Sequence, residues 1–448
     1  DRWERDVRPM FTRLCSLCHL PNGSAGIDLS TYASWASRRA LLEQRVLVGK
    51  PSPMPPAGAG TLTQAEADAL RAWLAVRDDL SAKPGPGSGR KSQPVFLSRR
   101  GARISVRTIR ELVYRRCLAT GARARDLPFA KADGNRIWTY RHAMTPKEMP
   151  GKLLVIGSGA IGIEFASFYN DLGAAVTVVE MMDRVVPVED ADVSAFLEKA
   201  LTKQGMTILT GAGVEAISDT GKGITARIKG KDGKVAEHAF SHVIVAVGIV
   251  ANTEDIGLET LGIKAERGII QIDPYGRTTA PGVWAIGDVT PGPWLAHKAS
   301  HEGVTAAEAI ARELGNSQVH PHPLDRSNIP GCTYCHPQVA SVGLTEARAK
   351  EAGHTLKVGT FPFMGNGKAI ALGEPEGFIK TVFDAETGEL LGAHMIGAEV
   401  TELIQGYVVG KTLETTEAEL MQTVFPHPTL SEMMHEATLA AYGRALHI

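Results

Sequence analysis

One short segment limits the fold of this 448-residue chain more than any other. The apolar residues 153–156 lead directly into the sequence Gly-Ser-Gly-Ala-Ile-Gly at residues 157–162, and a helical pattern runs from 161 to 172. Residues 175–179 are again apolar and are typical of a second buried strand. The segment therefore predicts a βαβ unit in a parallel sheet.

The glycines of this segment have separate roles in binding a dinucleotide. Gly157 permits a tight turn, Gly159 lets the backbone approach a pyrophosphate, and Gly162 allows the helix to pack closely on the strand. The pyrophosphate would lie at the helix N-terminus. Glu180 ends the second strand, where its carboxylate can accept both ribose hydroxyls, and an acidic residue there favours NAD over NADP. We assign Gly248 to the same NAD site.

A motif near the start of the chain indicates different chemistry. Cys15, Cys18 and His19 form a C-x-x-C-H sequence, in which two thiols bond to the haem vinyl groups and the imidazole ligates the iron. Met54 lies in a proline-rich loop that can hold its thioether at the sixth iron position. With the helical patterns around them, residues 1–80 resemble a small class I c-type cytochrome, which implies an all-α domain with haem c.

The same motif recurs formally at Cys332, Cys335 and His336. A strand-like sequence follows it, and neither a helix nor a methionine is placed to complete a haem site. We interpret these two cysteines as ordinary residues at a strand edge. The five cysteines of the chain, an odd number mostly in close pairs, argue against a secreted disulfide framework.

Further segments carry a family resemblance. The turn at 119–123 contains Gly121, the segment 279–288 ends in Gly-Asp, and Ala296 opens the sequence Ala-His-Lys-Ala. With the glycine-rich turn, they make residues 118–448 similar to the C-terminal two-thirds of a dihydrolipoamide dehydrogenase, a pyridine nucleotide–disulfide oxidoreductase. The resemblance implies that Gly121, Asp288 and Ala296 belong to an FAD site, in which Asp288 accepts a hydrogen bond from the ribityl chain.

The sequence His-Pro-Thr-Leu-Ser-Glu at 427–432 completes the resemblance. It implies that His427 is the general base that deprotonates a substrate dithiol, and that Glu432 holds and polarises the imidazole. Because the family uses this histidine across a two-fold interface, the resemblance also implies a homodimer. Thr429 and Glu432 match a capping box for the last helix as well, a structural role compatible with the catalytic one.

The sequence therefore predicts a multidomain fold: an all-α cytochrome c domain, an α/β Rossmann-type NAD domain and an α+β interface (dimerisation) domain. The expected boundaries are 1–80 for the haem domain, 81–117 for a basic junction, 118–150 for a remnant of the FAD domain, 151–270 for the NAD-binding domain, 271–326 for a second FAD remnant or central segment, and 327–448 for the interface domain.

Two features of the family are missing from the 448 residues. No two cysteines are separated by four residues, and the turn at Gly157 is the only good G-x-G-x-x-G. Without the redox disulfide, dihydrolipoamide cannot pass electrons to a flavin, and without a first glycine fingerprint the FAD site is incomplete. We therefore expect an NAD(H)-binding oxidoreductase that does not oxidise dihydrolipoamide alone.

Two alternatives stay open. One is a fusion that passes electrons from NADH to haem, which needs a flavin to split the hydride into single electrons. The other is a non-functional chimera of two unrelated fragments, because residues 90–125 carry eleven Lys or Arg and one acidic residue, as out-of-frame translation of GC-rich DNA would yield. A nucleic-acid patch would also explain this charge, but we prefer a poorly structured junction.

The net charge of −1 predicts no nucleic-acid partner, and the lack of an eighteen-residue apolar run predicts no membrane span. The family resemblance implies a small-molecule redox substrate. The chain begins with Asp1 rather than methionine, so we expect a processed or partial product. Haem attachment favours the periplasm, whereas nicotinamide chemistry favours the cytoplasm. Of the two compartments, we expect the cytoplasm.

Overall fold

The structure is a computed structural model that describes residues 121–447. The chain divides into two units, 1–101 and 102–448, and all described residues belong to the second. The expected cytochrome domain and basic junction lie outside the described residues, as do the four haem residues Cys15, Cys18, His19 and Met54.

The described part of the chain forms two sheet-based domains and a central segment. Its first half contains β1 (Ala122–Ala124), β2 (Ile137–Trp138), α1 (Tyr140–Ala143), β3 (Lys152–Ile156), α2 (Ala160–Asp171), β4 (Ala175–Val179), α3 (Ala191–Lys203), β5 (Thr207–Leu209), β6 (Gly213–Asp219), β7 (Ile224–Lys229), β8 (Val235–Phe240), β9 (His242–Val245), β10 (Ile249–Ala251), β11 (Ala265–Glu266) and β12 (Ile269–Ile270). Its second half contains α4 (Ala296–Glu313), β13 (Gly331–Thr333), β14 (Gln338–Gly343), α5 (Glu346–Glu351), β15 (Leu356–Pro362), α6 (Gly367–Leu372), β16 (Phe378–Asp384), β17 (Leu390–Gly397), α7 (Val400–Thr412), α8 (Glu417–Gln422) and α9 (Glu432–Ala441). Within residues 121–447, no helix is long and apolar enough to cross a membrane.

A parallel sheet forms the centre of the first domain, with the strand order β2-β9-β3-β4-β5. The βαβ unit that the sequence predicts is β3, α2 and β4. Leu153 and Val155 face one apolar core together with α2, while Leu154 and Ile156 face a second core formed with the antiparallel strands β6, β7 and β8. Because both faces are covered, β3 is apolar at every position after Lys152.

An antiparallel sheet with the strand order β13-β14-β17-β16-β15 forms the second domain. Every residue of β16 and β17 is buried. Ile379 and Met395 face a core that includes residues of α7 and α9, whereas Phe378 and Ile396 join the core of the first domain. Helices of the second domain thus cover one face of this sheet, and the first domain covers the other.

A buried ion cluster joins the two domains. Lys380 of β16 is 3% exposed, and its Nζ lies 2.9 Å from Asp190 Oδ1, 2.6 Å from Asp192 Oδ2 and 2.7 Å from Glu346 Oε2. Asp190 and Asp192 stand at the start of α3 in the first domain, and Glu346 opens α5. Burial lowers the pKa of Lys380, but the three carboxylates outweigh it and hold the pKa above its usual value.

We expect Lys380→Met to destabilise the described unit by about 3–5 kcal/mol, because it leaves partly buried carboxylates without their cation. The measurement is chemical denaturation followed by circular dichroism. Lys203→Met is the matched control, since the Lys203–Glu376 pair is exposed (72% and 45%) and contributes less than about 1 kcal/mol. Equal losses of unfolding free energy in the two variants would contradict a stabilising role for the buried ion cluster.

Candidate functional site

The glycine-rich turn after β3 has the geometry that close helix–strand packing requires. Gly157 adopts φ +97°, and a Cβ there would lie 2.5 Å from the carbonyl oxygen of Ala246. A Cβ at Gly162 would lie 2.0 Å from the carbonyl oxygen of Gly157. In contrast, a Cβ at Gly159 meets no atom within 4 Å. Two glycines are thus needed by the fold itself, while the third, at the start of α2, faces open space that a ligand can enter.

Glu180 lies beside this turn and is 9% exposed. Its Oε2 accepts hydrogen bonds from the Ser158 N–H (2.8 Å) and the Ser158 hydroxyl (2.9 Å), and its Oε1 accepts one from the Met182 N–H (2.8 Å). Gly248, at φ +101°, follows β9 at the same edge of the sheet, and a Cβ there also meets open space. The carboxyl ends of adjacent parallel strands therefore bring the expected NAD residues together.

A cavity of about 360 Å³ lies next to the turn. Ile161 and Glu164 of α2 form part of its wall, and Asp288 and Ala296, the residues expected at a flavin, form another part. Gly121 does not line it, although the adjacent Ala122 does. The remaining lining residues are Tyr140, Arg141, Met144, Phe165, Ile249, Gly287 and Ala299. Helix α2, which begins at the glycine-rich turn, and two of the residues expected at a flavin thus border one cavity, whereas none of the five residues expected at NAD lines it.

A buried network that the sequence analysis missed surrounds the Gly287–Asp288 turn. Lys298 and Glu302, 1% and 5% exposed, form an ion pair of 3.0 Å on α4. Burial lowers the pKa of Lys298, and the charge of Glu302 offsets only part of this effect. Arg326 lies 3.0 Å from the second oxygen of Glu302. The i,i+4 spacing of Lys298 and Glu302 is visible in the sequence, but such a pair is typical of an exposed helix surface.

Burial also affects Asp288 itself. It raises the pKa of this carboxyl group, and the positive charge of Lys298 acts in the opposite direction. An ionised carboxylate accepts hydrogen bonds from ligand hydroxyls more strongly than a protonated carboxyl group does. The positive charge of Lys298 therefore favours the form of Asp288 that can bind such hydroxyls.

His427 and Glu432 form the expected pair within one chain. The His427 Nδ1 lies 2.8 Å from Glu432 Oε1, and Glu432 Oε2 accepts a hydrogen bond of 2.8 Å from the Thr429 N–H. Burial raises the pKa of Glu432, but these two hydrogen bonds outweigh it and the net pKa lies below the usual value. The imidazole side chain is 81% exposed. Glu432 can therefore orient the ring while the second ring nitrogen stays open to a reactant.

The capping box expected at Thr429 forms only in part. Its N–H does bind Glu432, but its hydroxyl donates to the Pro426 carbonyl at 2.7 Å rather than to a helix amide. Helix α9 begins at Glu432 with Ser431 as its N-cap residue, so Thr429 lies two residues too early to cap it.

The His427–Glu432 pair lies apart from the cavity. Both residues belong to the second domain, and neither occurs among the residues, all within 121–447, that line the cavity. In one chain, the structure thus places two of the expected flavin residues beside α2 but does not bring the expected general base to them.

The second C-x-x-C-H motif has the structural role that the sequence predicts. Cys332 lies in the edge strand β13, and both cysteines are free thiols. The thiol of Cys335 is buried and donates to the Pro337 carbonyl at 3.1 Å. Burial raises its pKa to about 12, and burial also raises the pKa of Cys332. Thiols that stay protonated at neutral pH are weak nucleophiles and weak ligands.

The chain matches three family profiles. Residues 102–303 match the pyridine nucleotide-disulphide oxidoreductases, residues 329–438 match the dimerisation domain of these enzymes, and residues 4–74 match the cbb3-type cytochrome c oxidase subunit III. The first match begins within the segment that the sequence analysis assigns to the basic junction.

Similar proteins cover the same part of the chain. The dihydrolipoyl dehydrogenase of Zymomonas mobilis is 62% identical over 330 residues, which are 74% of this chain and 70% of that protein. The enzyme of the same name from Bacillus subtilis is 43% identical over 332 residues, 74% of this chain and 69% of the relative. Among solved structures, LpdA of Mycobacterium tuberculosis aligns with a TM-score of 0.65 and 32% identity, covering 71% of this chain and 68% of its own.

Substitution by alanine should have different effects at Gly159 and at Gly162. We expect Gly159→Ala to change stability by less than about 1 kcal/mol, because its Cβ meets no protein atom. It should weaken NADH binding at least about tenfold, because the methyl group enters the ligand space. Gly162→Ala should destabilise the unit by about 1–3 kcal/mol, because its Cβ collides with a carbonyl oxygen. NADH fluorescence titration and thermal unfolding measure these effects, and unchanged NADH affinity in Gly159→Ala would refute the site.

The two C-x-x-C-H motifs also predict different outcomes. When the chain is made together with haem-maturation enzymes, Cys15→Ser with Cys18→Ser should abolish covalent haem, since the sequence analysis assigns the attachment to these thiols. Cys332→Ser with Cys335→Ser is the matched control and should retain it. Haem staining of denatured protein distinguishes the two, and haem loss in the control variant would show that the second motif is not merely structural.

Proposed function

The chain belongs to the pyridine nucleotide-disulphide oxidoreductase family, and we propose that it binds NAD(H) at the Gly157 turn as a homodimer but does not oxidise dihydrolipoamide by itself. It is a dihydrolipoyl dehydrogenase-like oxidoreductase with a cytochrome domain at its N-terminal end. The observation that carries the proposal is the turn after β3, where a Cβ at Gly159 would meet no atom within 4 Å and Glu180 is held beside the turn by the Ser158 N–H and hydroxyl.

NAD fits the residues at the turn. The first turn of α2 contains no acidic residue, and the amides at its N-terminus carry a positive partial charge that stabilises a pyrophosphate. Gly159 leaves space for that group to approach the backbone. Glu180 is held by three protein hydrogen bonds at the end of β4, where its remaining lone pairs can accept from ribose hydroxyls. When bound, NAD supplies hydride acceptance.

FAD fits the described residues only in part. Asp288 and Ala296 border the cavity and would hold the ribityl chain and the edge of the ring system. The pyrophosphate end of FAD has no second glycine fingerprint in the 448 residues. We therefore propose that flavin binds more weakly to this chain than to its relatives. When bound, a flavin supplies electron exchange between a dithiol and a nicotinamide.

The His427–Glu432 pair would act on a second copy of the chain. It stands on the second domain, away from the cavity of its own chain, and residues 329–438 match the family's dimerisation domain. In this proposal the His427 Nε2 accepts a proton from a substrate thiol of a dithiol class. Glu432 keeps the other nitrogen protonated and compensates the charge of the resulting imidazolium.

Dihydrolipoamide oxidation requires a redox pair that this chain does not contain. No two of its five cysteines are separated by four residues. Cys335 does not substitute for that pair, because its thiol is buried and its pKa is raised to about 12. A dithiol substrate therefore has no disulfide with which to exchange among residues 121–447.

A second candidate function is electron transfer from NADH to haem. The match of residues 4–74 to a cytochrome family favours it, and Cys15, Cys18, His19 and Met54 would hold the haem. Haem supplies one-electron exchange, so this function needs a bound flavin to convert hydride into single electrons. We rank this function second because the set of flavin-binding residues is incomplete. The proposed compartment is the cytoplasm.

One experiment tests these proposals on the full-length chain made with haem-maturation enzymes. We expect NADH to bind, measured by fluorescence titration, and Gly159→Ala to weaken this binding. With NAD and dihydrolipoamide supplied together, we expect no NADH formation above background, because the redox disulfide is missing.

Each other outcome has a defined meaning. Dihydrolipoamide-dependent NADH formation would overturn the proposed lack of turnover. If NADH reduces the haem, seen as a change in the haem absorption spectrum, the electron-transfer function is favoured over the first proposal. If the chain binds neither NADH nor haem, the result would support the hypothesis that it is a non-functional chimera of two unrelated fragments.

A further inference from the structure

Gly287 is held from both sides by one buried ion pair. Its N–H donates to Glu302 Oε2 at 2.7 Å, and its carbonyl oxygen accepts a hydrogen bond of 3.0 Å from Lys298 Nζ. Lys298 Nζ also donates to the Thr290 hydroxyl at 2.9 Å, which donates in turn to the Gly287 carbonyl at 2.8 Å. Gly287 adopts φ +78°, so its peptide groups are placed in an uncommon backbone conformation directly before Asp288.

The energetics of this pair indicate a role other than stability. Two charges at 1% and 5% exposure have lost nearly all contact with water, and such a pair contributes little more to stability than apolar residues of the same volume. The pair instead fixes the orientation of the Gly287 peptide groups, because Glu302 accepts from the Gly287 N–H and Lys298 donates to its carbonyl oxygen. An apolar replacement would leave the Gly287 N–H without its acceptor and the Gly287 carbonyl oxygen bound by Thr290 alone, so the turn would be held less firmly.

Asp288 is the next residue and borders the cavity. Rotation of the Gly287 peptide groups would turn the Asp288 carboxylate away from its place in the cavity wall. Arg326 extends the network outward, since its guanidinium binds the carbonyl oxygens of Pro291 and Gly292, both at 2.8 Å. The whole loop from Gly287 to Gly292 is thus attached to Glu302.

We propose that Lys298 and Glu302 are positioning residues that hold the Gly287–Asp288 turn, so that the Asp288 carboxylate faces a polyhydroxyl chain bound in the cavity. This inference rests on the proposed flavin contact of Asp288. The ligand class is a ring system with a ribityl-type chain, whose hydroxyl groups donate to the carboxylate. Neither positioning residue needs to touch the ligand.

The experiment replaces both charges at once, as Lys298→Met with Glu302→Leu, because a single replacement would leave the other charge buried and unpaired. Arg326 is 39% exposed and can be solvated in the double variant. We expect the melting temperature to change by only a few degrees. Hydrogen–deuterium exchange of the peptide that contains the Gly287 amide should accelerate at least about tenfold.

Riboflavin is the binding probe, because it carries the ring and the ribityl chain without a pyrophosphate. We expect the double variant to bind it about tenfold more weakly by fluorescence anisotropy. Lys380→Met is the matched control, because it removes a buried lysine from the ion cluster between the two domains. It should lower stability without changing riboflavin affinity or hydrogen–deuterium exchange at Gly287. Asp288→Asn in the otherwise native chain tests the flavin contact separately.

The outcomes separate the inference from the proposed function. Unchanged exchange at Gly287 in the double variant would overturn the inference, as would a large loss of stability with unchanged riboflavin affinity. If Asp288→Asn binds riboflavin as the native chain does, or if the native chain binds none, the proposed flavin contact fails. In that case the exchange data still decide whether the ion pair holds the turn.

Discussion

The close approach of helix α2 to strand β3 is the contact on which the rest of the site depends. It is possible only because Gly162 lies against the carbonyl oxygen of Gly157, where any Cβ would come within 2.0 Å. This packing sets the position of the helix N-terminus, which offers its amides at the edge of the sheet. The same helix then carries Ile161 and Glu164 into the cavity wall. The proposed nucleotide site and the neighbouring cavity thus both depend on one backbone contact.

Buried charge is the second constraint, and each instance is compensated locally. Glu180 accepts hydrogen bonds from the turn that it borders, Glu302 is paired with Lys298 and Arg326, and Lys380 is surrounded by three carboxylates. Apart from Lys298, which shares α4 with Glu302, the partners come from a different element or domain. These interactions therefore do more than neutralise charge, because each one ties the position of one segment to that of another.

Much of the fold could be predicted because its signals are local. The strand expected at 153–156 spans Lys152–Ile156, the strand at 175–179 is Ala175–Val179, and the helix at 161–172 spans Ala160–Asp171. The burial of both faces of β16 could not be predicted in this way, because it depends on a domain more than a hundred residues earlier in the chain. Likewise, the Lys298–Glu302 pair could not be recognised as buried from its helical spacing alone.

The sequence by itself determined the chemistry that the chain can carry. A glycine-rich turn, an acidic strand end, a histidine–glutamate pair and the lack of two cysteines separated by four residues are properties of residue identity and spacing. Only the tertiary structure decided which of these residues meet. It joined Asp288 and Ala296 to the start of α2 at one cavity, and it left the His427–Glu432 pair on another domain. The reason is physical: short-range patterns specify turns and helices, whereas cavities and buried ion pairs arise from contacts between segments that are distant in the chain.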